Sequence, residues 1–218
     1  MANPYGLGAI ASPPDDRDYQ ITLDMAAPLP ANYSVPDTGV PVYDQGQTPM
    51  CVAYSGAGEQ QSFDLPHTFA WDFGYFFRLI GGGPNGAIIR NAFERRLHFG
   101  YPLVPSGSGN SQAAHRIAAY YAVPKTPDAI KRALVQYGRL VIGTPWFNSW
   151  FSPDAKGNLP VADYQVGGHA IDVDGYDATG IWLVNSWGAA WGVKGRCHMS
   201  WATVQHSVSE VWKAVDKK

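Results

Sequence analysis

Residues 51–99 repeat at helical spacing, whereas residues 140–201 mostly run at strand spacing, and this division limits the fold more than any other feature. Residues 51–64 (CVAYSGAGEQQSFD) lack proline and begin beside Thr48 and Pro49, which serve as helix-start signals. Residues 68–80 form a second, aromatic helical run, ended by Gly81-Gly82-Gly83-Pro84. A third is predicted over 88–99, where Ile88, Ile89, Ala92, Phe93 and Leu97 lie near helical spacing. Residues 126–137 predict a short helix with Thr126 as N-cap and Pro127 at the first helical position. Strands are predicted over 140–143, 169–176, 181–184 and 196–201. Helices first and strands later predict an α+β architecture with two lobes. Residues 1–40, rich in Pro, Asp and Gly, read as an extended arm, and 40–46 (VPVYDQG) as a strand end entering a turn.

Composition narrows the function by exclusion. A chain of 218 residues with 45% hydrophobic content can bury a full core. Charged residues make up only 16%, the net charge is −2 and no basic stripe runs along the chain, so nucleic acid is not an expected partner. No apolar run is long enough for a transmembrane helix, and no charged region followed by an apolar stretch marks a secretory signal, so no membrane partner is expected either. Two cysteines, Cys51 and Cys197, are no disulfide framework and favour a reducing compartment, so a cytoplasmic or phage-associated protein is expected.

Cys51 draws attention because a helix N-terminus favours an anion, and a thiol is a useful nucleophile only as the thiolate. The bland alternative is a buried structural cysteine, the commoner fate of a lone one. Gln45, six positions earlier in DQGQTPMC, has an amide that could donate to an oxyanion beside the Cys51 N–H; a turn Gln is otherwise simply solvated. Among six histidines, His169 has the most informative setting, GGHAIDVDGYD, a strand after two glycines that permit close approach. Asn185 follows the apolar strand IWLV, and its amide oxygen could accept the second imidazole N–H and fix the tautomer. Trp187 could shield that bond from water; for Trp187 and Trp191 plain core packing is the alternative.

In this order the segments resemble the papain-like cysteine peptidase family, bacterial or phage-type members included. DQGQTPMCVAYS is similar to that family's Gln-to-Cys segment, VGGHAIDVDGYD to its histidine strand, and NSWGAAWGVKG to its asparagine–tryptophan motif, over roughly residues 41–215. The resemblance implies a two-lobed fold, a helical lobe over about 41–105 and an antiparallel sheet or barrel lobe over about 106–218, with an active-site cleft between them. It implies a Cys51–His169–Asn185 triad with Gln45 at the oxyanion, a peptide or protein substrate, endopeptidase action, and no cofactor or metal. Asn85, Gly86 and Ala87 resemble the segment that binds substrate backbone, with Ala87 in place of a second glycine; Gly168 and Trp187 join them as expected substrate-binding residues. Oligomeric state does not follow.

The chain also departs from the pattern. Thr48-Pro49-Met50-Cys51-Val52 lacks the first Cys and the aromatic of the family's local signature. Pro84 stands where the family's disulfide partner falls, so the loss of both cysteines fits a reducing environment. Pro49 replaces a flexible glycine beside the oxyanion site. Asp172 and Asp174 occupy strand positions usually apolar in the family; the D-x-[DN]-x-[DN]-G calcium pattern is not met, and a paired buried carboxylate is expected. Any latency is expected from the arm. Two rivals stand beside the peptidase: a peptidoglycan-directed amide hydrolase on the same fold, and a non-catalytic module that kept the scaffold.

Overall fold

The computed structural model describes residues 4–16, 18–36, 39–67, 69–104 and 115–217. Among them one antiparallel sheet runs through the molecule, in the order β4 (Ile117–Ala122), β9 (Glu210–Asp216), β5 (Leu140–Phe147), β6 (Gln165–Tyr176), β7 (Gly180–Val184) and β8 (Arg196–Ser200). The twelve-residue β6 is its spine, paired with β5 along one edge and β7 along the other. Alternation along the strands feeds two apolar clusters. Leu140, Ile142, Ile171 and Val173 enter one, with Trp146, Trp150 and Trp187; Val141 and Ala170 enter the other, with Trp212 and Ala214.

The helices α1 (Cys51–Phe63), α2 (Phe73–Leu79) and α3 (Ile89–Phe99) pack on the second cluster. In α1, small residues allow close packing all round. A side chain on Gly58 would place its Cβ 2.1 Å from Asp172 Oδ2, so glycine there leaves room for that carboxylate. The helix buries Glu59 completely, and the charge is matched: Arg96 Nη1 donates at 2.8 Å, Lys213 Nζ at 3.0 Å and the Ala214 N–H at 2.9 Å. Burial would raise the Glu59 carboxyl, but Lys213 and Arg96 more than offset it and hold it below the usual carboxylate range. Three elements, α1, α3 and β9, are thereby tied through one buried side chain.

Several sequence expectations need adjustment. The second helix begins at Phe73, where the Asp72 carboxylate accepts from the Tyr75 N–H; of the wider 68–80 span, residue 68 lies outside the described residues. Thr48 does not cap α1, because its hydroxyl donates to the Gln45 carbonyl instead; Met50 stands at the N-cap without a side-chain bond. Residues 40–46 form no strand, only a single bridge from Asp44 to Trp187. Strands β4 and β9 and the helix α5 (Trp201–Ser207) were not apparent in the sequence; Ser200 ends β8 by capping α5. The helix α4 (Pro127–Tyr137) starts as expected, with Thr126 accepting from the Ala129 N–H. The division near residues 105–106 falls within 105–114, outside the described residues. Asp172 pairs with buried Arg139 at 3.1 Å and Asp174 with Arg196 at 2.7 Å. Both cysteines are free and buried. Among the described residues no helix is long and apolar enough to cross a membrane.

The arm is extended and docked. Its β1 (Ala9–Ile10) runs parallel to β3 (Ala87–Ile88), and its β2 (Tyr33–Ser34) pairs with the end of β6. Arg90 clamps it from the side, donating to the Pro13 carbonyl at 2.9 Å and to Asp18 at 2.7 Å.

Candidate active site

Cys51 is the first residue of α1, and α1 lies against β6, which carries His169. Met50 makes no side-chain cap, and the backbone donors nearest the sulfur, those of Ala170, Gly8, Val52 and Cys51 itself, pull the thiol pKa down. These donors favour a thiolate, but burial wins and pushes the thiol up to about 11.

His169 is fully buried. The Ser186 N–H donates to Asn185 Oδ1 at 2.8 Å, which identifies that atom as the amide oxygen. The same oxygen lies 2.8 Å from His169 Nε2, so Nε2 carries the proton and Nδ1 is left with its lone pair. Nδ1 is buried and makes no hydrogen bond, including none to Cys51. Burial lowers the imidazole to about 4, against the upward pull of the Asn185 bond. Burial therefore favours the neutral form of both the thiol and the imidazole in this state. The reason is desolvation of both groups. Trp187 stacks on the imidazole at 4.7 Å between ring centres, and Trp146 meets it edge-on at 4.9 Å.

Gln45 is held at both ends of its amide. Ser186 Oγ donates to its Oε1 at 2.6 Å, which turns the NH2 group toward Thr48 O at 2.7 Å and toward Gly6 O at 3.2 Å. The second acceptor belongs to the arm, which threads the site. Tyr5 stacks on Trp187 at 4.7 Å between ring centres, and Trp187 Nε1 donates to Gly6 O at 3.3 Å. The Gly8 N–H donates to Gly168 O at 3.0 Å, and the Ala87 N–H donates to Gly8 O at 2.8 Å.

Glycines on both sides make this fit sterically necessary. A Cβ at Gly6 would stand 2.0 Å from Thr48 O, and one at Gly8 2.2 Å from Pro49 O. In the walls, a Cβ at Gly86 would stand 1.7 Å from Gly8 O, and one at Gly168 2.2 Å from Ala9 O. Four of the five expected substrate-binding residues, Gly86, Ala87, Gly168 and Trp187, thus touch the arm. Asn85 is exposed in the neighbouring turn.

Ser186, Trp146, Tyr5 and the pair Gly6 and Gly8 were not singled out in the sequence. The Gly-Leu-Gly alternation at 6–8 is the one local signal that marks an arm needing close approach on one face.

No protein-family model and no curated protein matches the chain. Solved structures do. Xylellain, a cysteine protease from Xylella fastidiosa, superposes with a TM-score of 0.86 at 20% identity, covering 100% of this chain and 98% of its own. Digestive procathepsin L2 from Tenebrio molitor larval midgut gives 0.79 at 17% identity, over 98% and 79%. Procathepsin B S9 from Trypanosoma congolense gives 0.77 at 15% identity, over 97% and 86%. The fold is that of the papain-like cysteine proteases.

Proposed function

We propose that this chain is a cysteine peptidase held latent by its own arm, with Cys51 as nucleophile, His169 as base, Asn185 orienting the base, and Gln45 with the Cys51 N–H as oxyanion donors. In this reading residues 41–218 are the peptidase unit and residues 1–40 its inhibitory segment. The observation that carries it is a peptide carbonyl, that of Gly6, already hydrogen-bonded to the Gln45 amide in the groove beside a buried thiol and a tautomer-fixed imidazole.

The arm is placed to bind without being cut. The carbonyl that takes the Gln45 amide belongs to Gly6, whereas the arm backbone beside the sulfur is that of Gly8. Cleavage needs one peptide group at both places. Two of the similar structures are procathepsins, precursors by name; the arm supplies a segment that could act similarly here.

When the arm leaves, water and substrate enter and the desolvation that holds the pair neutral falls. The thiol proton moves to His169 Nδ1, while Nε2–H stays on Asn185. The thiolate attacks the substrate carbonyl carbon, and the C=O electrons move to an oxygen held by Gln45 and the Cys51 N–H. Collapse breaks the C–N bond, His169 gives its proton to the leaving amine, and a thioester remains. Water then attacks as His169 accepts its proton, releasing the acid and restoring the thiol. The substrate class is a peptide or protein laid extended along Gly86–Ala87 and Gly168, cut internally.

The test is hydrolysis of fluorogenic peptides and casein by the full chain, untreated and after limited proteolysis of its arm, beside Cys51→Ala. Cys51→Ala should show no hydrolysis under either condition; equal activity in the two chains would overturn the mechanism. Running purified peptidoglycan in parallel separates a wall-directed hydrolase from a general peptidase. One observation favours a non-catalytic module, the missing hydrogen bond between Cys51 and His169. If Cys51 in the trimmed chain reacts with iodoacetamide at pH 6 no faster than free cysteine, that module is the better account.

A further inference from the structure

Beside Asn185 lies a cavity of about 10 Å³, room for one water molecule, whose walls include Asp172, Tyr43, Ser55 and Gly58. Asn185 uses its Oδ1 on His169 and on the Ser186 N–H, but its Nδ2 is buried and makes no hydrogen bond among the described residues. Asp172 is placed in the complementary way. Its Oδ2 accepts from Arg139 Nη1 at 3.1 Å, while its Oδ1 is buried and makes no hydrogen bond among the described residues. The Tyr43 hydroxyl is a third such atom in the same walls. Asp172 stands opposite Val184 in the β6–β7 pairing, one residue before Asn185, so the open donor and the open acceptor come from neighbouring strand positions. Gly58 keeps the space, since a Cβ there would stand 2.1 Å from Asp172 Oδ2. Burial pushes the Asp172 carboxyl up to about 8 against the pull of Arg139, a penalty that one further donor would reduce. An amide donor and a carboxyl acceptor left open in the interior are each costly, and one water closes both.

We propose that this cavity is a binding site for a single water, which accepts from Asn185 Nδ2–H and donates to Asp172 Oδ1, and that Asp172 is thereby a positioning residue for the triad; the positioning role rests on the peptidase reading above. The Asn185 amide has two ends, and turning it over would aim its NH2 group instead of its oxygen at Nε2–H, donor against donor. The Ser186 N–H holds the oxygen end. The water and Asp172 hold the nitrogen end, so turning the amide over would break bonds at both. A donor engaged by an acceptor also polarises its own amide, which makes Oδ1 the stronger acceptor for Nε2–H. That bond favours the imidazolium formed when His169 takes the thiol proton. The simpler account gives Asp172 only the task of pairing with Arg139.

Two measurements test it. By NMR of the untrimmed chain, the Asn185 Nδ2 protons should show a nuclear Overhauser effect to a bound water; protons that see no water would overturn the site. In the trimmed chain, Asp172→Leu and Asp172→Asn are compared on fluorogenic peptides. Both lose the charge paired with Arg139, but only Asn keeps an oxygen for the water. Asp172→Leu should lower kcat by about tenfold to a hundredfold with KM little changed, and Asp172→Asn should keep most of it. The His169 Nε2–H resonance should follow the same order, staying sharp with Asn and exchanging away with Leu. Equal losses in the two variants, or an unchanged kcat in Asp172→Leu, would overturn the positioning role while leaving the peptidase intact. If Asp172→Leu does not fold, Arg139→Met/Asp172→Leu, which leaves neither charge buried alone, takes its place with the same expectations. No hydrolysis by the unmodified trimmed chain would remove the peptidase reading and the positioning role with it, while the water signal still decides the site.

Discussion

The carbonyl oxygen of Gly6 accepts a hydrogen bond from the side-chain amide of Gln45 at 3.2 Å, so on the proposed reading a residue of the arm occupies the donor that a substrate would need. The closed state is a competition between this peptide and any other for the same groups, and its consequences can be measured.

Gly8→Val should open the cleft. Its Cβ would meet the Pro49 carbonyl, which is backbone and cannot swing aside. A clash of about 1–3 kcal/mol shifts the closed–open balance roughly tenfold to a hundredfold. Iodoacetamide labelling of Cys51 in the untrimmed chain should accelerate by that factor. Labelling as slow as in the unmodified chain would show that the arm does not gate the thiol.

Gln45→Ala should lower kcat of the trimmed chain by about 10²–10³-fold with little change in KM. The amide's oxygen is fixed by Ser186, so its NH2 is aimed before substrate arrives. Ser186→Ala should give a smaller fall in the same parameter. A rise in KM alone would assign Gln45 to substrate binding instead.

Acid should destabilise the closed chain through His169. Its imidazole is held at about 4 by burial, below the ordinary 6.5, so the unfolded chain binds the proton first as pH falls. Stability contributed by the neutral ring is complete above about pH 6.5 and drains between 6.5 and 4, the loss reaching about 3 kcal/mol at the lower end. Thermal unfolding of Cys51→Ala, which removes the thiol from the titration, should show Tm falling across this window. Adding His169→Gln should flatten the slope, and an unchanged slope would place the acid sensitivity elsewhere.

Glu59→Ala should cost about 3–5 kcal/mol in urea unfolding, because it leaves Arg96 and Lys213 buried without their counter-charge. The Glu59 carboxyl is held low, so its contribution is present above the ordinary carboxylate pKa and is lost as pH falls through the depressed value. A loss under about 1 kcal/mol would mean that the network relaxes to water.

Helices α1 and α4 were legible because they report themselves locally: α1 begins just after Pro49, a helix-start residue, and α4 carries its own Thr126 cap. Strands β4 and β9 were not, since IAAYYA and EVWKAVD become strands by pairing with each other, residues 117–122 against 212–216. Asn185 and His169 could be paired on paper from their setting and family order, but Ser186 could not. Its hydroxyl matters only because Gln45, 141 residues earlier, comes within 2.6 Å.

Residue types and order alone determined which groups could do chemistry here: a thiol at a helix start, a strand histidine, an amide after a strand, and glycines that allow backbone to approach backbone. Tertiary structure alone decided their state. Cys51 and His169 are both fully buried, and the free energy of a charge depends on what surrounds it, which no local pattern of residues encodes.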